Sequence, residues 1–353
     1  MTIHDHRKSI DALDAEIVRL LNERTQHVLE IGAIKIKAGD EIYAPHRENA
    51  VLRRLTKLSR GPITDESLRA IYREIMSSAL SLEKNLTIAY LGPPATFSHQ
   101  AAIRKFGSSL LYSAQKTIND VFEEVSRNRA DYGVVPVENS TEGVVSHTLD
   151  MLVDSDLRIV SQIVLPIQNC LLGKTKLGRV RVLYSHPQPL AQCREWLRKH
   201  LPAVEIVESS STTRAAEQAA QSTRAAAIAG PLAAERYGLR LLAKDIQDNS
   251  SNATRFLVLG RQCSPSTGHD RTSLMLSLQD KVGALHRALE PMRRLKLNMT
   301  KIESRPSKKK QWEYYFFVDC DGHVEDPKVA KALAELGRHC NFVKVLGSYP
   351  AVD

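Results

Sequence analysis

The sequence predicts three modules in series: an all-helical bundle over residues 5–84, an α/β unit over 86–262 and an α+β plait over 271–350. Three observations carry this reading. Apolar residues in the first stretch recur at helix spacing. In the second, short β-rich runs alternate with helical stretches. In the third, the order reads β-α-β-β-α-β, a ferredoxin-like arrangement. A length of 353 residues fits two or three domains of about 100–200 residues each.

In the first segment, Ile10, Leu13, Ile17, Leu20, Leu21, Val28 and Ile31 mark one helical face, and the run extends through Lys35. That is longer than the roughly 8–20 residues usual in a globular helix. A second helix follows Pro45, with Val51, Leu52, Leu55 and Leu58 on its face, and Gly61-Pro62 breaks it. Thr64 caps a third, which turns Leu68, Ile71, Ile75 and Ala79 inward. Helices so unequal in length bury one another poorly, so the first is predicted to pair with its copy in a second subunit. Arg24 and Lys35 fall inside the apolar stripe of the first helix, Glu48 on that of the second and Glu83 near that of the third. Unpaired buried charge is expensive, so these groups need partners. Internal salt bridges or snorkelling would satisfy any one of them. Two cations with carboxylates in one small bundle favour a polar pocket for an anion, which arginine grips bidentately.

The joint to the second segment lies near Glu83-Lys84-Asn85. Its signals are polar loops after short strands. Leu91-Gly92-Pro93-Pro94-Ala95-Thr96-Phe97-Ser98 links a strand to the helical Ala101–Phe106, and its hydroxyls stand at a helix start. The strand Tyr132–Val137 runs into Glu138-Asn139-Ser140-Thr141-Glu142-Gly143. Tyr184-Ser185-His186-Pro187-Gln188-Pro189 follows a strand at Val180–Leu183, and Asn252-Ala253-Thr254-Arg255-Phe256 leads into another. Polar loops gathered at strand ends predict one cleft at the edge of open α/β sheets. His147 and His186 show no partner in sequence and read as structural.

Cys263-Ser264-Pro265-Ser266-Thr267-Gly268 reads as a linker. Beyond it, strands are predicted at Leu274–Leu278, Asn298–Ser304, Trp312–Val318 and Phe342–Tyr349, with helices from Asp280–Leu285 through Arg293 and at Pro327–Leu336.

Composition narrows the function classes. No apolar run approaches the ~18–20 residues of a membrane helix, and the charged N-terminus argues against export. Five cysteines with no CxxC spacing indicate neither a disulfide framework nor a zinc ribbon. The net charge of +9 is dispersed, and its one dense run, Lys308-Lys309-Lys310, reads as a solvated loop tip. Aromatics form only 5% of the chain and are not interleaved with basic residues, which disfavours single-strand binding and leaves small polyanions as the better partners.

The run Arg7-x2-Ile10-Asp11-x-Leu13-Asp14, then Glu23-Arg24, Gly32-x2-Lys35 and Pro45-x-Arg47-Glu48, resembles the all-helical chorismate mutase family. That resemblance implies that Arg24 and Arg47 hold the carboxylates of chorismate and that Arg7 reaches in from another subunit. Lys35 would meet the ether oxygen and a carboxylate, and Glu48 a hydroxyl. The reaction is a pericyclic rearrangement, served by holding a compact conformer and stabilising charge on the ether oxygen. Two departures stand out. Ala44 replaces an aspartate found in some members, and Glu83 replaces the glutamine that in many donates to the ether oxygen. A carboxyl donates only when protonated, so Glu83 is expected to have a raised pKa and mutase activity to fall at alkaline pH.

Val135-Pro136-Val137-Glu138-Asn139-Ser140 and Asn252-x-Thr254-Arg255-Phe256 resemble prephenate dehydratase, over about residues 86–262. The family fold is two α/β lobes around a cleft, similar to periplasmic ligand-binding proteins. The resemblance puts Thr254 nearest the leaving hydroxyl, Arg255 in support of the substrate or loop, and Phe256 beside them. The proton would come through Glu138, Asn139 or Gln188. Ser98, Ser140, Thr141, Ser211 and Thr212 would donate to carboxylates. Pro94-Ala95 departs from the family's usual glycine there.

Gly283-Ala284-Leu285 and Glu303-Ser304-Arg305-Pro306 resemble the phenylalanine-sensing pair of an ACT regulatory domain, with Asn298 nearby. The order of modules resembles the bifunctional chorismate mutase/prephenate dehydratases of phenylalanine biosynthesis. It implies domains at 1–85, 86–264 and 271–353, chorismate and prephenate as substrates and L-phenylalanine as effector. It implies no cofactor and no metal, no nucleic-acid or membrane partner, a cytoplasmic location and a homodimer, with a tetramer left open. Two rivals remain. An amino-acid sensor on a dead enzyme scaffold is disfavoured by Arg24, Lys35, Arg47, Glu48 and Thr254 together. A nucleic-acid binder would show salt-dependent association with random DNA.

Overall fold

The computed structural model describes residues 1–39, 42–308 and 313–351. Trp312, where one strand was predicted to begin, and Lys309 and Lys310 of the basic run lie outside the described residues. The chain divides into a unit of Met1–Leu86 with Phe106–Leu111, and a larger unit of Thr87–Lys105 with Tyr112–Asp353.

The smaller unit holds α1 (Ile3–Ala38), α2 (Pro45–Leu58) and α3 (Asp65–Glu83). Thr2 and Asp5 close a capping box at the start of α1, and Gly39 ends it. At 36 residues α1 is about 54 Å long, three more residues than the apolar spacing marked at its C-terminal end. Every residue from Met1 to Leu20 is exposed, including Ile10 at 54% and Leu13 at 62%. The apolar stripe of that half is therefore left uncovered by the described residues of this chain. Pro45 opens α2, and Thr64 Oγ1 accepts from Ser67 N at 3.2 Å to cap α3.

The larger unit begins with a lobe of β1 (Thr87–Leu91), α4 (Phe97–Phe106), β2 (Leu111–Gln115), α5 (Ile118–Ser126), β3 (Tyr132–Asn139), β4 (Gly143–Val144), α6 (Ser146–Asp154) and β5 (Arg158–Pro166). A second lobe follows with β6 (Cys170–Gly173), β7 (Val182–Ser185), α7 (Pro187–Gln192), α8 (Arg194–His200), β8 (Glu205–Glu208), α9 (Thr212–Ala219), β9 (Ala225–Ala229), α10 (Pro231–Tyr237) and β10 (Arg240–Ala243). The chain then returns to the first sheet as β11 (Ala253–Gly260). The strand orders are β2-β1-β3-β11-β5, with β4 beside β3, and β10-β6-β9-β7-β8. Two crossings join the lobes and are tied together, Ile167 N donating to Asn252 O and Ile246 N to Asn169 O, both at 2.9 Å. This places polar residues of the crossings at the base of the cleft.

The sequence reading differs here at several boundaries, with α4 beginning at Phe97 and not Ala101, and β11 at Ala253 and not Phe256. The strand placed at Val180–Leu183 begins only at Val182, after a 3-10 turn at Leu177–Arg179. More consequentially, β3 continues through Glu138 to Asn139, so the first residues of the polar cluster lie on a strand and are held in register by β11.

The third module is β12 (Asp270–Ser277), α11 (Ala284–Arg294), β13 (Met299–Pro306), β14 (Tyr314–Asp321), α12 (Pro327–Gly337) and β15 (Phe342–Pro350), with strand order β13-β14-β12-β15. Side-chain alternation gives its sheet two apolar faces. Leu274, Leu276 and Val318 pack with Met292 and Leu336 of the helices. Met275, Tyr315, Phe317 and Leu346 point the other way and join Ile159, Leu257 and Leu259 in one continuous core with the first lobe. Among the described residues, no helix is long and apolar enough to cross a membrane.

Candidate active sites and effector pocket

In the helical unit, α1 and α3 bring Arg24, Lys35 and Glu83 together. Gly32 makes this possible, since a Cβ there would stand 2.9 Å from the Glu83 Oε2. Burial raises the Glu83 carboxyl above its ordinary pKa, and the charges of Lys35 and Arg24 oppose the shift. Arg24 Nη1 and Glu83 Oε2 are both buried with no hydrogen-bond partner among the described residues. Lys35 Nζ donates to Ile42 O at 2.8 Å, and Tyr43 Oη donates to Glu48 Oε2 at 3.1 Å. Ala44, the position of the expected departure, forms the side-chain-free cap of α2. Arg47 is exposed. Arg7 lies 17 residues before Arg24 on the same helix, roughly 26 Å along its axis. It therefore does not reach this cluster within one chain.

In the dehydratase-like unit, the cleft encloses about 230 Å³ and is lined by Ser98, Asn139, Gln188, Ser211, Thr212 and Thr254, with His186, Asn169, Gln192 and Asn252. Its lining residues carry no aspartate, glutamate, lysine or arginine. The N-terminal turns of α4 and α9 both open onto it, through Phe97–Ser98 and Thr212. Their unpaired N–H groups suit carboxylates.

One chain of hydrogen bonds through side-chain amides fixes the orientation of the groups at the base of the cleft. Asn139 Oδ1 accepts from the backbone N–H groups of Thr141 and Glu142, at 3.0 and 3.1 Å. Backbone N–H groups only donate, so the amide of Asn139 has one possible orientation. Its Nδ2 then donates to Thr254 Oγ1 at 2.8 Å and to Asn252 Oδ1 at 2.9 Å. Asn252 Nδ2 passes the direction on to Gln192 Oε1 at 3.2 Å, which also accepts from Asn169. Because Thr254 Oγ1 accepts from Asn139, its own O–H is left to donate into the cleft. Opposite, Gln188 N donates to His186 Nδ1, which makes Nε2 the protonated nitrogen of the neutral ring.

Several expected site residues lie elsewhere. Thr254 and Arg255 are neighbours on β11, so their side chains leave opposite faces of the sheet. Arg255 turns away from the cleft and bonds Gln162, Asp319 and Tyr349. Glu138 likewise faces the third module, where it pairs with Lys301 at 2.8 Å. Ser140 Oγ accepts from Ala253 N and steadies the loop, Thr141 is exposed, and Phe256 is buried in the core. His147 is exposed on α6. Asn169, Gln192 and Asn252 are absent from the sequence-based set of site residues, and His186, read from the sequence as structural, also lines the cleft. Asn252 carried a signal, since it precedes Thr254 by two and shares its side of the chain. Ala95 stands at φ +69°, in the left-handed region that glycine adopts freely, at a cost of about 1–2 kcal/mol. His99 Nδ1 accepts the Ala95 N–H at 3.0 Å and stacks on Tyr90, holding that loop.

The third module has a pocket of about 750 Å³ between the end of β12, the start of α11 and β14, and Ala284, Leu285, Asp280 and Phe316 line it. Gly283 opens α11 at φ +74°, which favours glycine. The second predicted string does not meet it. Asn298 is bonded to Asp321, and Glu303–Pro306 lie on the edge strand β13. There Arg305 faces Asp150 at 3.4 Å while Ser304 and Pro306 are exposed.

A helical unit that gathers Arg24, Lys35 and Glu83, a bilobal cleft lined by the Thr254 hydroxyl, and a plait with a ligand-sized pocket have the make-up of a two-reaction enzyme with a regulatory module. The chorismate mutase type II family matches residues 6–84, the prephenate dehydratase family 88–264 and the ACT domain 272–338. A bifunctional chorismate mutase/prephenate dehydratase from Aquifex aeolicus (strain VF5) is 50% identical over 98% of this chain and 96% of its own. One from Escherichia coli (strain K12) is 33% identical over 98% of this chain and 95% of its own. A solved prephenate dehydratase from Arthrobacter aurescens, in complex with L-Phe, superposes with a TM-score of 0.70 at 35% identity, covering 75% of this chain and 90% of that one. The chain belongs to the bifunctional chorismate mutase/prephenate dehydratase family.

Proposed function

We propose that this chain converts chorismate to prephenate in residues 1–85 and prephenate to phenylpyruvate in residues 86–264, with L-phenylalanine acting on residues 271–353. The observation that carries the reading is the Asn139–Thr254 pair, whose orientation leaves the threonine O–H pointed at the cleft. Prephenate must lose hydroxide from its ring and carbon dioxide from its ring carboxylate. Thr254 donates to the departing hydroxyl, with proton supply through Gln188 or His186 on the opposite wall of the cleft. Ser98, Ser211 and Thr212 hold the pyruvyl carboxylate at the helix N-termini. A cleft lined by neutral groups leaves the second carboxylate without a cationic partner, and this favours its loss as uncharged carbon dioxide.

In the mutase site, Arg24 and Arg47 take the two carboxylates of chorismate, Lys35 and Glu83 meet the ether oxygen, and Glu48 meets a hydroxyl. Arg7 comes from a second chain, which would also cover the exposed stripe of α1, so the working unit is a homodimer at least. All five cysteines are free, in keeping with the cytoplasm. The effector sits at Gly283, Ala284 and Leu285, completed by Ser304 and Pro306 from the exposed edge of another copy's plait.

Glu83 sets a pH dependence whose sign follows from its raised pKa. The protonated form donates to the ether oxygen, and it is lost as pH rises through that pKa. A bound dianion offsets Arg24 and Lys35, the two charges that restrain the shift, and moves the pKa further up. Mutase turnover is expected to fall toward alkaline pH and the Glu83→Gln variant to show a flat profile. An equally steep fall in the variant would overturn this role.

A coupled assay tests the whole reading: chorismate supplied, phenylpyruvate measured, phenylalanine titrated. Phenylpyruvate should appear without added cofactor and decline as phenylalanine rises. Phenylalanine should also raise the melting temperature, by the equivalent of about 2.7 kcal/mol at a hundredfold excess over its Kd. No melting shift at millimolar phenylalanine would count against the effector site.

A further inference from the structure

Behind the cleft, on the opposite face of the same strands, lies a buried polar network that none of the chemistry above uses. Arg255 is 13% exposed and donates from three nitrogens: to Gln162 Oε1 at 2.9 Å, Asp319 Oδ2 at 2.6 Å and Tyr349 Oη at 2.9 Å. Ser273 Oγ donates to Asp319 Oδ1 at 2.5 Å and lies 2.7 Å from Tyr349 Oη. With the serine proton committed to the aspartate, the tyrosine O–H donates to the serine, so in the ring Arg255–Tyr349–Ser273–Asp319 the arginine donates on both sides and the aspartate accepts on both. Lys301 is 11% exposed and pairs with Glu138 at 2.8 Å. Asp319, Tyr349, Ser273 and Lys301 all belong to the third module.

These contacts bear on the reacting hydroxyl through the backbone. Arg255 follows Thr254, and Glu138 precedes Asn139. In the β3–β11 ladder, Thr254 is opposite Asn139 and Arg255 opposite Glu138. The register then slips between Arg255 and Phe256. The β3 side of the ladder is thus irregular beside the Asn139–Thr254 pair, while β11 stays in register with β5 from Ala253 to Val258, so the side chains anchored behind β3 and β11 help to set how Asn139 meets Thr254. The same strand that carries Asp319 carries Phe316, which lines the effector pocket roughly 10 Å away.

We propose that Asp319, Tyr349 and Lys301 are positioning residues for dehydration, clamping Arg255 and Glu138 from behind and thereby setting the Asn139–Thr254 pair. Through β14 the clamp is also the physical link between the effector pocket and the cleft. This rests on the reading of the cleft as the dehydratase site.

The test uses the full-length chain with Tyr349→Phe, which removes one hydroxyl and keeps the ring, together with Asp319→Asn and Asp319→Glu. Prephenate dehydration, phenylalanine inhibition and melting temperature are measured, and mutase turnover normalises the amount of folded enzyme. Dehydratase kcat should fall about tenfold or more in Tyr349→Phe with KM within about twofold, since misplacement of catalytic groups acts on the transition state. Asp319→Glu should recover activity that Asp319→Asn loses, and phenylalanine should inhibit both Tyr349→Phe and Asp319→Asn more weakly than the wild type. A folded Tyr349→Phe with wild-type kcat and wild-type inhibition overturns the proposal, even if its melting temperature drops. Should Asp319→Asn fail to fold, Tyr349→Phe decides alone. The wild-type rate is the separate check on the cleft: phenylpyruvate formation by the parent chain tests that reading, and the variant-to-parent ratio tests the clamp.

Discussion

Arg24→Ala is expected to lower chorismate rearrangement by about 10²–10³-fold and to leave prephenate dehydration within about twofold. The reason lies in how Arg24 is held. Its Nη1 is buried and has no hydrogen-bond partner among the described residues, so truncation costs no bond at that nitrogen, and an unchanged melting curve is the expected control. What disappears is the group proposed to compensate a substrate carboxylate, along with one of the two charges restraining Glu83. A cationic donor aimed at developing negative charge in a shielded site is worth far more than the same group in water. Both reactions should be followed on one preparation, chorismate loss by absorbance and phenylpyruvate formation from supplied prephenate. Loss of both in a protein with an unchanged melting curve would contradict the assignment of the two reactions to separate modules.

Thr254→Ala should make prephenate accumulate from chorismate, with dehydration reduced by about 10²–10⁴-fold and mutase turnover unchanged. The substitution removes the O–H that points into the cleft and leaves Asn139 Nδ2 bonded to Asn252 and near Ala253 O, so the amide keeps its orientation. Thr254→Ser should restore a large part of the rate, because a serine hydroxyl can occupy the same bond with Asn139. If alanine and serine behaved alike, the hydroxyl would have no role in proton donation, whatever the total loss.

Much of the fold was legible because its elements advertise their period. The long apolar spacing of α1, the breaks at Pro45 and Gly61-Pro62, and the β-α-β-β-α-β order each translate into backbone geometry without reference to distant residues. Arg24, Lys35 and Glu83 were legible for a similar reason, since a charge on an apolar stripe is visible in one sequence. Arg255 shows where linear reading stops. Its place in a shared string suggested a shared site, yet strand alternation sends alternate residues to opposite faces, and that rule was available beforehand. Asn169 and Gln192 were not legible, because only the pairing of the two lobe crossings brings them to Asn252. The separation of Arg305 from Ala284 has the same origin, as β13 is an edge strand whose inward side chains meet Asp150 and Glu138.

Met275, Tyr315, Phe317 and Leu346 of the plait share one apolar core with Ile159 and Leu257 of the first lobe. Cutting the chain after the linker would therefore strip a greasy sheet face bare and invite aggregation of the remaining enzyme. Strains that overproduce the end product by escaping control should arise through single replacements at the surface of the last module, and seldom through its deletion.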